Sequence, residues 1–266
     1  ASAQVERELF GNASLSVGFI HLRGLHLIVS RNVNVPTATP ASGVPNLGRP
    51  DPNFGNISRY ESSGDSYYNG LFVSFNERLT QWATIRASYT LSKTIDDSGN
   101  FFFSTPQDNF NLRDDRGLSD NDQRHHLTIS GTLGPQRVSN HGFRRALNGF
   151  ELSYIFSYAS RLPFNIVTGN DRNLDTNNND RPVGVGRNTG KGFDYASFDL
   201  RLSRRVRFTE HVGLEFLVEG FNLLNRSNLA IPNNTFGTGT IPLPSFGQPT
   251  AAFDPRQFQF GLKLGF

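Results

Sequence analysis

The sequence predicts an all-β fold in which antiparallel strands cross a membrane as a β-barrel. The last ten residues, 257–266, alternate strictly between apolar and polar side chains, as in a strand with different surroundings on its two faces. Ten residues also match the about 9–11 that a tilted strand needs to cross a bilayer. The same alternation recurs along the chain, and short and long connections between the strands take turns.

The composition excludes a helical membrane protein and favours a barrel. Only 36% of the 266 residues are hydrophobic, and no run approaches the ~18 apolar residues of a transmembrane helix. A barrel strand instead mixes apolar and polar residues one to one. The chain has 24 Phe and 7 Tyr against a single Trp, and many of them lie in alternating segments. A soluble β-sandwich is the alternative that composition alone leaves open.

Cysteine usage and charge narrow the classes of site and partner. The chain has no Cys, which excludes disulfides and thiolate metal sites. It also has no Met and no signal peptide with a charged start and an apolar core, so we expect a processed or excised piece. The 26 basic and 23 acidic residues are too balanced to indicate nucleic-acid binding.

Nine segments carry the strand pattern. In the clearest, 82–95, five apolar residues from Ala83 to Leu91 alternate with hydroxyl-bearing and charged ones. The seventh and eighth alternate in the same way and form a hairpin. The predicted strands lie near residues 4–10, 13–22, 66–79, 82–95, 125–133, 150–160, 195–208, 212–222 and 257–266.

The connections indicate the class of barrel. Turns are predicted at Gly11-Asn12, Thr80-Gln81 and Thr209 to His211, with a medium connection over 134–149. Long, Pro- and Gly-containing or polar loops are predicted at 31–65, 96–123, 161–193 and 223–256. Outer-membrane barrels have short periplasmic turns and long extracellular loops. With Phe266 in the periplasm, every long loop falls outside, a sorting that a soluble sandwich does not require.

The number of strands predicts a larger barrel. Bacterial single-chain barrels have even strand numbers from about 8 upward, whereas nine strands are predicted here. The first and ninth run in the same direction, and an isolated set would leave two exposed edges. We therefore expect further strands before Ala1.

Four charged residues form the main candidate site. In the hairpin of the seventh and eighth strands, Arg205 should lie opposite Glu215, and Arg201 opposite Glu219, all on the lumen face. Opposite charges across a strand pair contribute roughly 0.2–1 kcal/mol. Two interpretations stay open: the pairs stiffen the barrel wall, or they guide a ligand or contact a plug. Arg204, on the apolar face, is expected to extend to the headgroups.

Two further segments have functional alternatives. The run from Asp171 to Asp180 has the spaced oxygen ligands of a calcium loop, but Thr176 and Pro182 occupy the positions of the expected Gly and Glu. The other interpretation is a solvated turn-rich loop. The pair His125-His126 has no nucleophile elbow, zinc helix or phosphate loop beside it, so we place it at the barrel rim. We expect no catalytic residues, no enzyme activity and no cofactor other than Ca²⁺ at 171–180.

Several motifs resemble the barrel of TonB-dependent receptors, most closely the Oar-like group that carries a carboxypeptidase-regulatory-like domain. The similarity covers most of the chain, best from about residue 60 onward. The motifs are Tyr68 to Phe75, Ala87 to Asp97, Asp120 to His126, Asn179 to Pro182 and Glu219 to Arg226.

The resemblance implies a receptor in the outer membrane of a Gram-negative bacterium. Such a receptor has a barrel of about 22 strands with a plug inside it, and we expect this chain to lack the plug and the amino-terminal domains. The resemblance also implies energy from the TonB–ExbB–ExbD complex, reached through the plug, and uptake of siderophores, glycans, peptides or cobalamin. Phe266 resembles the terminal signal that the barrel assembly machinery recognises. Outer-membrane lipid is then a further partner. A passive porin or surface adhesin, and a soluble carbohydrate-binding β-domain, are the alternatives.

Overall fold

The computed structural model describes residues 1–36, 48–80, 82–99, 105–134, 148–209 and 212–266. Gln81, Glu210 and His211 of the predicted turns, most of the 134–149 connection and parts of the first two long loops lie outside these residues. No helix in the described part of the chain is long and apolar enough to span a membrane.

The described residues form fourteen strands and one short 3-10 helix, Leu112–Asp115. The strands are β1 (Ser2–Glu8), β2 (Ala13–Asn32), β3 (Ser58–Thr80), β4 (Ala83–Asp96), β5 (Gly117–Leu118), β6 (His125–Leu133), β7 (Phe150–Ala159), β8 (Pro163–Phe164), β9 (Gly190–Lys191), β10 (Tyr195–Arg207), β11 (Gly213–Phe221), β12 (Leu229–Pro232), β13 (Pro249–Ala252) and β14 (Gln257–Gly265).

Nine strands form one antiparallel meander, in the order β1-β2-β3-β4-β6-β7-β10-β11-β14, which confirms the predicted fold class. Each neighbour in this order is the next long strand along the chain. The short strand β5 pairs with the end of β4, and β8-β9 and β12-β13 form two small hairpins. Within the described residues β1 and β14 pair on one side only, so they are the two edges of the sheet.

The longest strands extend further than predicted. β2 continues to Asn32 rather than ending at 22, and β3 begins at Ser58 rather than at 66. The predicted loop over 31–65 is therefore wrong at both ends, since Asn32 still pairs with Ser58. The extension has no regular apolar alternation, and register shifts around Leu27 disturb its period.

Register keeps one face apolar across the sheet. One cross-strand row runs through Val5, Val17, Val73, Tyr89, Leu127, Tyr158 and Ala196. A row on the other face runs through Glu6, Ser16, Ser74, Ser88, Thr128, Ser157 and Ser197. Large side chains stay exposed on the apolar face, with Phe260 76% and Leu262 65% accessible. The exposed apolar face fits a sheet that meets lipid.

Two glycines fix close approaches between strands. Gly18 lies opposite Phe72, whose ring would be 2.1 Å from a Cβ atom at position 18. Gly131 lies opposite Tyr154, and a Cβ atom there would also meet the Thr84 carbonyl oxygen at 2.4 Å. Each aromatic ring therefore covers the neighbouring backbone, an arrangement that helps to hold the register.

Candidate functional site

The charged ladder has the register expected from the sequence. Arg205 is the cross-strand partner of Glu215, with Nη2 3.1 Å from Oε2. Arg201 faces Glu219, with Nη1 3.7 Å from Oε1. The side chains of Arg201 and Arg205 are 48% and 59% exposed, so solvent screens both pairs. All four residues lie on the polar face.

A fifth charged residue extends the ladder to a third strand. Lys263 of β14 is the cross-strand partner of Glu215 on the side away from Arg205. One carboxylate therefore lies between two cations on three adjacent strands. The alternation of the last strand already put Lys263 on the polar face, but its pairing with Glu215 was not predicted, because no short turn joins β11 to β14.

The remaining predicted residues of this region lie near the short-turn end. Arg204 is on the apolar face, and its guanidinium lies 4.9 Å from the centre of the Phe150 ring. This cation–π contact keeps the charge over an aromatic ring. Phe266 follows β14 and is 96% exposed, so its side chain is accessible to another protein.

At the other end of the sheet, the described parts of the four long connections form one polar cluster, here called the loop assembly. Arg187 connects several of its segments. Its Nη1 lies 2.5 Å from Asp96 Oδ1 at the end of β4 and donates to the Asp115 carbonyl oxygen at 3.1 Å. Both side chains of the Arg187–Asp96 pair are under a tenth exposed. This pair ties the 161–193 connection to the sheet.

Asp115 joins a second buried pair to the first. Its Oδ1 accepts from Arg181 Nη1 at 2.6 Å, and its Oδ2 accepts from the Gln107 backbone N–H at 2.8 Å. Arg181 also donates to the Asp114 carbonyl oxygen. Because removal of one partner would leave a buried charge unpaired, the two loops are strongly coupled here.

Buried amides connect the assembly to the first long connection. Asn109 accepts from the Asn32 backbone N–H at 2.8 Å and donates from Nδ2 to Asp175 Oδ2 at 2.7 Å. Asn56 Nδ2 donates to Thr176 Oγ1 at 2.5 Å. The asparagine side chains thus supply the polar partners that irregular buried backbone needs.

The last long connection docks on the same cluster. Val167 forms a parallel bridge with Thr235, and Asn234 Nδ2 donates to the Asn165 carbonyl oxygen at 3.1 Å. Phe236 packs edge-on against Phe246 with ring centres 5.3 Å apart. The four long connections therefore lie over one another instead of extending separately into solvent.

The predicted calcium loop uses its carboxylates as turn acceptors. Asp171 accepts the backbone N–H groups of Asp175 and Thr176, and Asp180 accepts that of Arg172 at 2.5 Å. Leu174 and Thr176 have φ values of 59° and 75°. Within the described residues, no group of three or more His, Cys, Asp or Glu side chains is arranged to hold a metal ion.

Asp175 and Asp180 are the two buried acids of this loop, at 1% and 3% exposure. Burial raises the pKa of Asp175 above the usual value, and the nearby charges of Asp171 and Asp180 raise it further, against the hydrogen bond from the Asn177 backbone. A higher pH is therefore needed to ionise the Asp175 carboxyl in the folded loop than in the open one.

The predicted histidine pair lies at the start of β6. His125 Nδ1 is 2.8 Å from the Tyr89 hydroxyl oxygen, and the two rings stack with centres 6.2 Å apart. His126 lies on the opposite face, across from Thr90. The two side chains point to different faces, so they do not form a common site.

A polar cavity of about 350 Å³ lies within the loop assembly. Both buried arginines contribute to its wall, together with carboxylates and amides. Its lining includes Asp97, Asp115, Asp120, Asn165, Asn179, Arg181 and Arg187. The arrangement can offer hydrogen-bond donors and acceptors to a polar solute.

Comparison with known proteins then decides the family. The family model described as an outer membrane beta barrel domain matches residues 1–186 and 183–259. The chain belongs to this outer-membrane β-barrel domain family. It is located in the outer membrane of a Gram-negative bacterium, and its apolar strand face meets the lipid.

Two solved structures resemble this outer-membrane barrel chain. The outer membrane transporter YddB from Escherichia coli is 12% identical, with a TM-score of 0.63 over 100% of this chain and 32% of that one. The ferric-catecholate import receptor Fiu from E. coli K12, in its closed form, is 11% identical, with a TM-score of 0.47 over 100% of this chain and 34% of that one. The chain thus spans about a third of either structure. No curated protein sequence matches it.

Proposed function

We propose that the chain is the carboxyl-terminal part of the barrel of a TonB-dependent receptor of the Oar-like group, which imports a scarce, large solute. The solute would be a siderophore, a glycan or a peptide. The barrel fold shared with a transporter about three times as long supports this proposal. The open edges of β1 and β14 support it too, because further strands would satisfy their backbone groups.

The observation that carries the proposal is the loop assembly. Buried Arg187–Asp96 and Arg181–Asp115 pairs draw the long connections together over one end of the sheet. A passive pore needs an unobstructed entrance, whereas a receptor needs a structured surface that holds its solute before uptake. In the proposed function the solute meets this surface first, and the lumen-face ladder of Arg201, Arg205, Glu215 and Glu219 then faces a plug.

The test separates an energy-coupled receptor from a passive porin or an adhesin. The protein is extracted from the outer membrane and assayed for co-purification with the periplasmic domain of TonB, and for conductance in planar bilayers. We expect TonB binding and no steady open-channel conductance. A large steady conductance without TonB binding would instead identify a porin. The absence of both TonB binding and conductance would favour the adhesin.

A further inference from the structure

The lipid-facing side of the sheet changes character at one level near the long connections. The cross-strand row of Phe19, Leu71 and Leu91 is apolar. The next row on the same face is polar, and it consists of His21, Asn69 and Lys93. Because a charged side chain is costly among lipid tails, the boundary between tails and headgroups lies between these two rows.

The length of the apolar face agrees with this boundary. On β4 the face runs from Ala83 to Leu91. At about 3.4 Å per residue and a tilt of about 40°, this segment rises roughly 21 Å, close to the about 25 Å of a barrel's apolar band. The rows beyond Leu91 therefore lie at the level of the outer-leaflet headgroups.

A groove of about 650 Å³ opens at this level between β5, the start of β6, the end of β7 and the β8-β9 hairpin. Leu118, Tyr158 and Leu162 give it an apolar floor. Tyr158 lies in the same row as Leu127 and Tyr89, which places the floor at the top of the lipid-facing surface.

The walls of the groove are strongly basic. Five basic and two acidic residues line it, namely Arg116, Arg124, Arg161, Arg187, Lys191, Asp122 and Asp194. Arg124 and Arg187 have carboxylate partners in Asp122 and Asp96. In the described part of the chain, no carboxylate forms an ion pair with the exposed Arg116, Arg161 or Lys191. Asp194 accepts the Arg161 backbone N–H, so five basic residues face two carboxylates and the lining is positive on balance.

One of these cations is held in place. The Arg116 guanidinium lies 5.0 Å from the centre of the Tyr67 ring, and Arg23 lies 5.1 Å from the same ring. Stacking of this kind restricts the side chain while its N–H donors stay free for a ligand. Arg116 is therefore positioned at the headgroup level before any ligand arrives, whereas Arg23 lies outside the groove lining and pairs with Asp65 at 3.8 Å.

We propose that this groove binds the phosphorylated headgroup of an outer-leaflet lipid, with its first acyl carbons against Tyr158 and Leu162. Guanidinium and ammonium groups are the usual protein partners of phosphate. A soluble phosphate compound would gain nothing from the apolar floor, whereas a lipid covers both the basic wall and that floor. The groove shares Arg187 with the loop assembly but opens on the lipid-facing side, and the proposal does not depend on the proposed transport function.

The test measures binding of bisphosphorylated lipid A to delipidated protein extracted from the outer membrane, by native mass spectrometry. The variant R116Q/R161Q/K191Q removes the three cations of the groove that have no ion-pair partner. Each basic residue at an anionic lipid surface contributes about fivefold in affinity, so we expect a loss of roughly a hundredfold. The control R113Q/R172Q/R207Q makes the same charge change outside the groove and should bind as the wild type does.

Two further arms separate the sources of phosphate and guard against misfolding. Dephosphorylated lipid A should bind weakly, and millimolar inorganic phosphate should not displace the lipid. The single variant K191Q, which alters an exposed side chain, should already bind about fivefold more weakly. Equal binding by the triple variant and the control, equal binding of dephosphorylated lipid, or displacement by inorganic phosphate would overturn the proposal.

Discussion

Arg187 illustrates how single residues hold the loop assembly. Its guanidinium contacts the Asp96 carboxylate and three backbone carbonyls, those of Asp96, Ser98 and Asp115, while its side chain is only 8% exposed. Nothing in the local sequence marks it, because its partners lie far away in the chain. Its contribution comes from connecting three segments at one buried point.

Arg187→Ala should open the 161–193 connection. The substitution leaves the Asp96 carboxylate buried without its partner, which costs about 3–5 kcal/mol. Hydrogen exchange of residues 161–193 should accelerate strongly, while the strands stay protected. Arg172→Ala, at an exposed arginine of the same connection, is the matched control and should leave exchange unchanged. Unaltered protection in the Arg187 variant would contradict the role assigned to this pair.

Because the pKa of Asp175 is raised, we expect the stability of the 161–193 connection to depend on pH. The pKa of this carboxyl in the folded loop is raised above the ordinary 3.8, so the folded loop binds this proton more tightly than the open one. The stability that this proton contributes is full below the ordinary pKa and is lost as the pH rises through the raised value. Protection of residues 171–182, corrected for intrinsic exchange, should fall over that window.

Asp175→Asn supplies the control for this pH dependence. The amide cannot titrate, so the loss of protection over the same window should disappear. A pH profile of the variant that matches the wild type would show that a different group titrates.

At the scale of elements, the strands followed from the sequence where the two faces meet lipid and lumen. The alternation of 82–95 and 257–266 located β4 and β14 because lipid imposes a period of two. The end of β2 after residue 22 and the start of β3 before residue 66 were not predicted, since both faces of the sheet there meet polar surroundings. The short strands pair within one long connection, as in β8-β9 and β12-β13, or with the end of a long strand, as in β5 with β4, and their length of two to four residues is too short for a visible alternation.

The candidate site shows the same limit. The hairpin register that pairs Arg205 with Glu215 could be inferred, because a short turn fixes it. The Arg181–Asp115 and Arg187–Asp96 pairs could not, since their partners are 66 and 91 residues apart. Asp96 and Arg181 did belong to motifs that carried the family resemblance, but the motifs do not say which residues meet.

Glu215→Lys tests the ladder as a unit of three strands. The new lysine would lie between Arg205 and Lys263, replacing two attractions with two repulsions of up to about 1 kcal/mol each, less the screening of exposed side chains. The unfolding temperature in detergent should fall at low salt and partly recover at high salt. The swap E215K/K263E should recover part of the loss. Equal stability of all variants would mean that the ladder does not support the wall.

At the scale of the whole molecule, one apolar face runs unbroken through nine strands, and the long connections gather at one end. Neither feature depends on a single residue, so we expect no single substitution to abolish them. In the proposed function, the loop assembly contributes to the choice of solute. The wall, the loops and the lipid-facing groove can therefore be tested independently.

The most direct test of the central claim uses the absence of cysteine from the chain. Single cysteines are placed at Val218 and Leu262 on the apolar face, and at Glu219 and Lys263 on the polar face, and the protein is reconstituted in lipid. The first two should resist a water-soluble thiol reagent, and probes on them should be quenched by lipid-dissolved quenchers. The second two should react from water. Equal reactivity from water at all four positions would contradict a sheet with one face on lipid and the other on the lumen.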